Sequence, residues 1–193
     1  ETLELEFTSD EILNNSNITF KSGSETVSDT PALTGAGPQY TYSYDVSAVD
    51  TDGKVSFVLW YEDAAGNSST VTTLTTGNTV TVDQNPAILS PVSIQSDNMY
   101  NPYLATNGDI LTLDFSSDEP LQTPTVTFFG NPATSTLGSG LNWTSTYNIA
   151  GTETEGVVPF KIIYTDNSGN PETVESITTG SNVTYDATVP ALS

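Results

Sequence analysis

The chain contains no cysteine, no histidine and no arginine, and each absence removes a class of function. Without histidine and cysteine there is no imidazole base, no thiolate nucleophile, no disulfide and no zinc or iron–sulfur site. Positive charge is almost as scarce, since the basic side chains are those of Lys21, Lys54 and Lys161. The sequence therefore excludes nucleic-acid binding by neutralisation of phosphates and attraction to an anionic membrane surface.

Long apolar runs are also missing from the sequence. No stretch approaches the ~18 apolar residues of a membrane-spanning helix, so we expect no direct insertion into a membrane. The sequence does not begin with methionine or with a basic leader that carries an apolar core. We therefore expect it to be an excerpt or a processed piece of a longer protein.

Acidic residues dominate what is present. The 193 residues include 24 aspartates and glutamates, which give a formal net charge of −21. High charge with low hydrophobicity is typical of disorder, but 35% of the residues are apolar, 9% are aromatic, and their spacing is regular. We therefore predict a folded chain whose available ligands are carboxylates, hydroxyls and carbonyls, the groups that calcium prefers.

The sequence contains two copies of one module. The copies are offset by 108 residues near their start and by 103 residues further on, as a short deletion in the second copy requires. The first offset aligns Leu3, Leu5 and Phe7 with Leu111, Leu113 and Phe115. The second offset aligns Tyr44, Val55, Phe57 and Tyr61 with Tyr147, Val158, Phe160 and Tyr164. An Asp-x-x-Gly-Asn turn recurs at residues 63–67 and 166–170.

Apolar residues alternate with polar ones in both copies, which is the period of β-strands. Turn residues recur about every eight to twelve positions, and about seven short strands in about 100 residues is the size of an immunoglobulin-like sandwich. The predicted fold is all-β, with two immunoglobulin-like β-sandwich modules in tandem, the first lacking its strand A within this chain. We expect module 1 over residues 1–85, module 2 over 86–188, and the start of a further module or a tail over 189–193.

The strands of module 2 can be placed approximately, whereas its strand D carries no clear pattern. The predicted ranges are A near 88–96, B near 110–116, C near 125–129, E near 141–149, F near 157–165, and G ending at Tyr185. The side chains of Tyr40 and Trp143 fall on the inner face of the predicted strands, and that of Trp60 falls on the outer face.

Both copies end on similar motifs, Val80-Thr-Val-Asp83 and Val183-Thr-Tyr-Asp186, each followed by a proline-containing segment. Together with the Asp-x-x-Gly-Asn turn and a Ser-Asp-Glu segment after strand B, these motifs resemble the junctions of bacterial immunoglobulin-like repeats. Such repeats stand in tandem in large secreted surface adhesins. The resemblance implies a secreted protein at the extracellular cell surface, with neighbouring modules as partners and calcium at domain junctions.

Acidic residues recur at the ends of the predicted strands. In an immunoglobulin-like strand order, one carboxylate set from each module faces the junction between them, and these six residues are the predicted calcium ligands: Asp50, Asp52, Asp83, Asp118, Glu119 and Asp166. Calcium takes six to eight oxygens, so this set with backbone carbonyls would suffice. Equivalent sets are Glu153, Glu155 and Asp186 towards the next module, and Asp10, Glu11 and Asp63 towards the previous one. The alternative is that each aspartate caps a turn and binds no metal.

No catalytic residues are predicted. Paired carboxylates can hydrolyse glycosides, but that chemistry needs two acids on opposite walls of a cleft, and these acids recur at the ends of both modules. We expect a non-enzymatic spacer in an adhesin stalk, with calcium-stiffened junctions. The alternative is a self-assembling subunit of an extracellular filament or surface layer, in which like subunits join by strand addition. A ligand-binding tip module, with a sugar or protein target, is a third possibility.

Overall fold

The computed structural model describes residues 1–192, and the elements within this range are all β-strands. No helix in this range could span a membrane. The chain divides into two compact units, Glu1–Gln84 (unit 1) and Asn85–Ser193 (unit 2). The predicted tail over 189–193 ends on Ser193, which lies outside the described residues.

Unit 1 is built from two sheets. Its strands are β1 (Thr2–Thr8), β2 (Leu13–Ser22), β3 (Glu25–Thr26), β4 (Ala32–Ala36), β5 (Gln39–Asp45), β6 (Gly53–Asp63), β7 (Ser68–Val71) and β8 (Thr81–Val82). One sheet has the order β1-β5-β4, and the other has the order β3-β2-β6-β7, with β8 paired to the start of β6. In the first sheet β1 runs antiparallel to β5, with Leu5 opposite Tyr42.

Unit 2 repeats this plan with further strands. They are β9 (Leu89–Ser96), β10 (Leu104–Ala105), β11 (Ile110–Ser117), β12 (Thr125–Phe128), β13 (Asn131–Pro132), β14 (Ser135–Ser139), β15 (Asn142–Asn148), β16 (Gly156–Val157), β17 (Phe160–Thr165), β18 (Pro171–Val174) and β19 (Thr184–Tyr185). Its two large sheets have the orders β14-β15-β11-β9 and β13-β12-β17-β18. A small third sheet, β10-β19-β16, contains a parallel pair.

This strand order confirms the predicted fold class. In unit 2, β9, β11, β15 and β14 correspond to strands A, B, E and D of an immunoglobulin-like sandwich, and β12, β17 and β18 correspond to C, F and G. Unit 1 has the same order from β1 onwards. Strand D, which the sequence left unassigned, is β4 in unit 1 and β14 in unit 2.

The two units differ at the strand A position. In unit 2, β11 lies between β15 and β9 and pairs with both. In unit 1, β1 pairs with β5 on one side, and no strand within residues 1–192 pairs with its other side.

The inward side chains of each unit form its own apolar core. In β11 every second residue is buried, which is the alternation that its sequence predicts. Tyr40 and Trp143 are buried, as predicted, and Trp60 is half-buried. The buried core of unit 1 comprises Leu3, Leu5, Ile18, Phe20, Val27, Tyr42, Tyr44, Leu59 and Val82. The core of unit 2 is larger. Its most deeply buried members, which have practically no exposed surface, are Leu111, Leu113, Phe128, Ile162 and Val183.

Candidate functional site

Asp166 closes the turn that follows β17, and its side chain is fully buried. One carboxylate oxygen accepts the backbone N–H groups of Gly169 and Asn170 at 2.7 and 2.9 Å. The other accepts the side-chain amide of Asn170 at 3.0 Å. The Asp-x-x-Gly-Asn motif forms this turn because the carboxylate replaces water as the acceptor for amides that the chain reversal leaves without partners.

The charge of Asp166 is stabilised by these donors. Burial alone raises the pKa of Asp166, but the hydrogen bonds from Asn170, Gly169 and Ser168 outweigh that effect and hold the pKa below its ordinary value. A carboxylate oxygen of Glu119, which is half-buried, lies within 4.8 Å of one of Asp166. Unit 2 therefore holds two of the predicted ligands side by side.

Asp118, the third predicted ligand from unit 2, has a structural partner. Its carboxylate accepts the N–H of Ile88 at 2.7 Å, and its own N–H donates to the carbonyl of Ile88 at 3.2 Å. This paired contact holds the residue before β9 against the end of β11. Asp118 therefore caps this backbone segment, and its part in the predicted calcium set stays a prediction.

Asp50 is held in the loop between β5 and β6. Its carboxylate accepts the N–H groups of Ser28 and Ser47 at 3.0 and 2.8 Å, and it also accepts the hydroxyl of Tyr44. Burial alone raises the pKa of Asp50, but these three hydrogen bonds keep it below the ordinary value. Burial and the charge of Asp50 raise the pKa of Tyr44, so the pair is an ionised acid and a neutral phenol at neutral pH.

Asp52 links the start of β6 to the end of unit 1. Its carboxylate accepts the N–H of Gln84 at 2.9 Å, and the side-chain amide of Gln84 donates to the carbonyl of Asp50 at 2.9 Å. Asp83, the residue before Gln84, is half-buried. The three predicted ligands of unit 1 therefore come from the segment before β6 and the segment after β8.

Unit 2 repeats these contacts with glutamates. Tyr147 donates to Glu153 at 2.8 Å, as Tyr44 does to Asp50, and the N–H groups of Ala150 and Gly151 donate to the same carboxylate at 3.0 and 2.8 Å. Burial by itself raises the pKa of Glu153, but these donors lower it to about 2. The acids at these positions therefore share two equivalent donors, the tyrosine hydroxyl and the N–H of Ser47 or Ala150.

Glu155 of unit 2 corresponds to Asp52 of unit 1. Glu155 accepts the N–H of Ala187 at 2.8 Å, just as Asp52 accepts that of Gln84. The next acid along the chain, Asp186, accepts the N–H of Thr188 at 2.9 Å. These contacts fix the chain as it leaves each unit, which is a positioning role.

The six predicted ligands thus fall into two groups of three, one group in each unit. Within unit 2 the carboxylates of Glu119 and Asp166 lie close together, and the carboxylate of Asp118 accepts a hydrogen bond from the N–H of Ile88. Within unit 1 Asp50 and Asp52 accept separate donors. The six-residue set as a whole stays a prediction.

Sequence reasoning missed the tyrosine partners of these acids. The signal that could have found them is a tyrosine six residues before an acid in both copies, Tyr44 with Asp50 and Tyr147 with Glu153. It also missed a cleft of about 830 Å³ in unit 1. The cleft is lined by residues of β1, β2, β5, β6 and β7 and of the segments that follow β1 and β7, among them Leu5, Phe7, Tyr40, Leu59, Leu74 and Thr75.

The comparisons with known proteins give a fold-level similarity. No known family model matches the chain, and no curated protein sequence matches it. Among solved structures, the chain is similar to the crystal structure of the titin domains z1z2 in complex with telethonin, at 12% sequence identity and a TM-score of 0.34. That match covers 97% of this chain and 88% of that chain. The assignment of the immunoglobulin-like fold rests on the strand order described above, and the resemblance to bacterial adhesin repeats stays a prediction.

Proposed function

We propose that the chain is a non-enzymatic structural spacer from the stalk of a secreted, extracellular bacterial adhesin. The observation that supports this most directly is repetition: the two units share one strand order from β1 onwards, and in each unit an acid accepts the hydroxyl of the equivalent tyrosine. A repeated module adds length to a chain, whereas a binding tip is usually built once. The partners proposed are neighbouring modules of the same protein.

The side-chain chemistry supports a non-enzymatic role. The sequence offers no histidine, cysteine or arginine, so catalysis would depend on carboxylates. Asp50, Asp166 and Glu153 instead accept several backbone amides each, and this lowers their pKa values. A general acid needs a pKa raised towards neutrality, which is the opposite shift.

We further propose that calcium stiffens the junction between modules. Glu119 and Asp166 place two carboxylates within 4.8 Å, and the low pKa of Asp166 keeps that charge in place at neutral pH. Two anionic oxygens at this separation repel each other, and a hard divalent cation would remove that cost. Asp83, two residues before unit 2 begins, supplies the third carboxylate in this proposal, and Asp50, Asp52 and Asp118 complete the proposed set of ligands.

The calcium proposal is tested by melting the whole chain in EDTA and in calcium. At a calcium concentration about 100 times its Kd, we expect the melting temperature to rise by about 5–10 °C, because calcium binds the folded state alone. Small-angle scattering in the same buffers should show a narrower distribution of end-to-end distances with calcium. Superimposable melting curves and scattering profiles would show that the calcium proposal is wrong.

Matched variants separate a bound ion from general screening of charge. E119Q/D166N removes two charges from the paired carboxylates, and E172Q/E175Q removes two charges from exposed positions of the same unit. We expect the first variant to lose the calcium-dependent rise in melting temperature and the second to keep it. An equal loss in both variants would mean that calcium acts by screening the net charge.

A second candidate function is a subunit of an extracellular filament or surface layer that grows by strand addition between like chains. The observation that favours it is the outer side of β1, which no strand within residues 1–192 pairs with. An unpaired strand edge beside a core is the usual acceptor in strand addition.

A further inference from the structure

We propose that the outer edge of β14 is a homodimer interface, at which β14 of one copy of the chain pairs antiparallel with β14 of a second copy. The register places Leu137 of each copy opposite Leu137 of the other, beside a twofold axis. The proposal concerns unit 2 alone. It rests on neither candidate function above, because it needs neither calcium nor the edge of β1.

The outer side of β14 is open to another strand. β14 lies in the interior of unit 2, with β9 to β13 before it in the sequence and β15 to β19 after it. It is the last strand of its sheet, and no strand within residues 1–192 pairs with its outer side. Leu137 is 69% exposed, and Gly138 and Ser139 are exposed as well. An edge strand of this kind presents N–H and C=O groups with which another chain can pair.

The hydrogen bonds at the two ends of β15 show which of its residues face β11. The N–H of Ser117 donates to the carbonyl of Leu141, and the N–H of Ile149 donates to the carbonyl of Asp109. The odd-numbered residues of β15 therefore bond to β11, and its even-numbered residues bond to β14, as the alternation of an antiparallel ladder requires.

This alternation determines the outward groups of β14. The residues opposite the even-numbered positions of β15 are Ser135, Leu137 and Ser139, so their backbone groups are used within the sheet. The period of two then places the N–H and C=O groups of Thr136 and Gly138 on the outer edge.

One antiparallel register uses all of these outward groups. It pairs Thr136 of each copy with Gly138 of the other, and each of the two pairs exchanges both of its N–H···O=C bonds. Leu137 then faces its own equivalent in a non-hydrogen-bonded pair, where side chains approach most closely. Such a contact is symmetric, so it closes as a dimer and leaves no unmatched partner.

The side chains of β14 are compatible with this register. The hydroxyl of Thr136 is 2.9 Å from that of Ser145, which is fully buried, so the side chain of Thr136 points into the sandwich. Leu137 therefore points to the outer face, where the second Leu137 would cover it. Gly138 carries no side chain, which allows a second backbone to approach the edge closely.

The distribution of charge favours a second copy as the occupant. The net charge of the chain is −21, so two copies repel each other over most of their surfaces. Residues 120–152 nevertheless include no charged side chain. Exposed edges are commonly protected by charged residues, and like charges opposite each other on paired strands are destabilising. At β14 two copies can therefore meet without placing an acid opposite an acid.

The equivalent edge of unit 1 lacks the apolar member of this contact. In β4, Thr34 is opposite Thr41, just as Leu137 is opposite Thr144 in unit 2. A threonine thus stands where unit 2 has the exposed leucine. We therefore assign the dimer contact to β14 and not to β4.

Sedimentation equilibrium of the whole chain in about 0.15 M NaCl tests the proposal. The contact between two short strands is smaller than a standard interface, so we expect a dimer with a Kd of about 0.1–1 mM. Lower salt should weaken the dimer, because the two negative chains are then less screened. As the protein concentration rises, hydrogen exchange should slow at the amides of Thr136 and Gly138, and exchange at the amides of β4 should not change.

Charge variants at Leu137 test the register. L137K and L137E each place like charges opposite each other, so we expect either variant alone to dimerise about tenfold or more weakly than the parent. An equimolar mixture of the two should recover dimerisation, because the lysine of one copy then faces the glutamate of the other. The control is I163K, which changes a residue of the other sheet that is 45% exposed and should leave the Kd unchanged.

Four results would overturn the proposal. They are a chain that stays monomeric at about 2 mM, equal dimerisation of L137K and I163K, a mixture of L137K and L137E that associates no more than either variant alone, and open-ended oligomers in place of dimers. Leu137 is exposed, so its substitution leaves the core of unit 2 intact, and melting curves of the variants check this.

Discussion

Tyr147 donates its hydroxyl to the carboxylate of Glu153 at 2.8 Å, and the same contact joins Tyr44 to Asp50 in the other unit. In each unit the tyrosine belongs to the buried core, and the acid accepts backbone amides of the loop that follows. The contact therefore ties the core to the loop that leads into the next long strand. In each unit the ionised carboxylate therefore contributes to the free energy of unfolding.

The first prediction concerns the pH dependence of unit 2. The pKa of Glu153 is about 2 in the folded state and 4.5 in an unperturbed chain, so its contribution to stability is complete above about pH 4.5 and is lost as the pH falls towards 2. We expect E153Q to lower the free energy of unfolding at pH 7 by about 1–2 kcal/mol, after allowance for solvent screening. Urea titrations at pH 7 and pH 2 that follow the fluorescence of Trp143 in a W60F background measure the change.

The control for this prediction is E175Q. Glu175 forms an exposed ion pair with Lys161 at 2.6 Å, and such pairs contribute at most about 1 kcal/mol. A difference between E153Q and the parent that is the same at both pH values would contradict the assignment of a low pKa to Glu153.

The second prediction compares equivalent leucines of the two cores. L113A removes a fully buried side chain from a closed core, and we expect a loss of about 2–5 kcal/mol. L5A removes a side chain at the margin of the open cleft, where water can occupy the space, so we expect a smaller loss. Each unit contains one tryptophan, Trp60 in unit 1 and Trp143 in unit 2, so single-tryptophan variants can follow each transition separately. Equal losses of stability for L5A and L113A would contradict this difference between the two cores.

The third prediction concerns a glycine repeated in strand D. Gly138 has a φ of +147°, and a Cβ at this position would lie 2.3 Å from the carbonyl oxygen of Asn142. The equivalent residue of unit 1 is Gly35, where a Cβ would lie 2.5 Å from the carbonyl oxygen of Gln39. We expect G138A to destabilise unit 2 by about 2–4 kcal/mol, because strain and overlap both act.

Gly180 provides the matched control for steric overlap. Its φ of +82° is also left-handed, but no atom lies within 4 Å of the position that a Cβ would take. We expect G180A to cost about 1 kcal/mol, the price of backbone strain alone. Similar melting temperatures for G138A and G180A would show that β14 shifts to accept the methyl group.

Local pattern accounts for the parts of the fold that the sequence predicted well. Alternation in β11 and β17 is strong because both strands bury one face in a closed core. Strand D was missed because β4 is exposed along its whole length and both D strands contain a glycine, so neither shows alternation. Solvent-exposed edge strands form through backbone pairing, which leaves little trace in the side chains.

The candidate site was predictable to a smaller degree. The Asp-x-x-Gly-Asn turn was visible in the sequence because its contacts are local, between residues at most four apart. The contacts of Asp118 with Ile88 and of Asp52 with Gln84 span about thirty residues of chain, so no local motif marks them. The sequence therefore indicated which acids to consider, but not which N–H groups donate hydrogen bonds to them.

The sequence by itself determined the two-module architecture, the all-β fold and the restriction of chemistry to carboxylates and hydroxyls. These follow from periodicity, an internal repeat and composition, which need no knowledge of distant contacts. Only the tertiary structure decided which N–H groups donate hydrogen bonds to which acids. It also decided that the carboxylates of Glu119 and Asp166 lie close together and that Leu5 and Leu74 line a cleft. The reason is physical, because strand pairing and burial depend on residues that are far apart in the chain. Equivalent residues of the two units therefore have different surroundings, since unit 2 contains the additional strand β9.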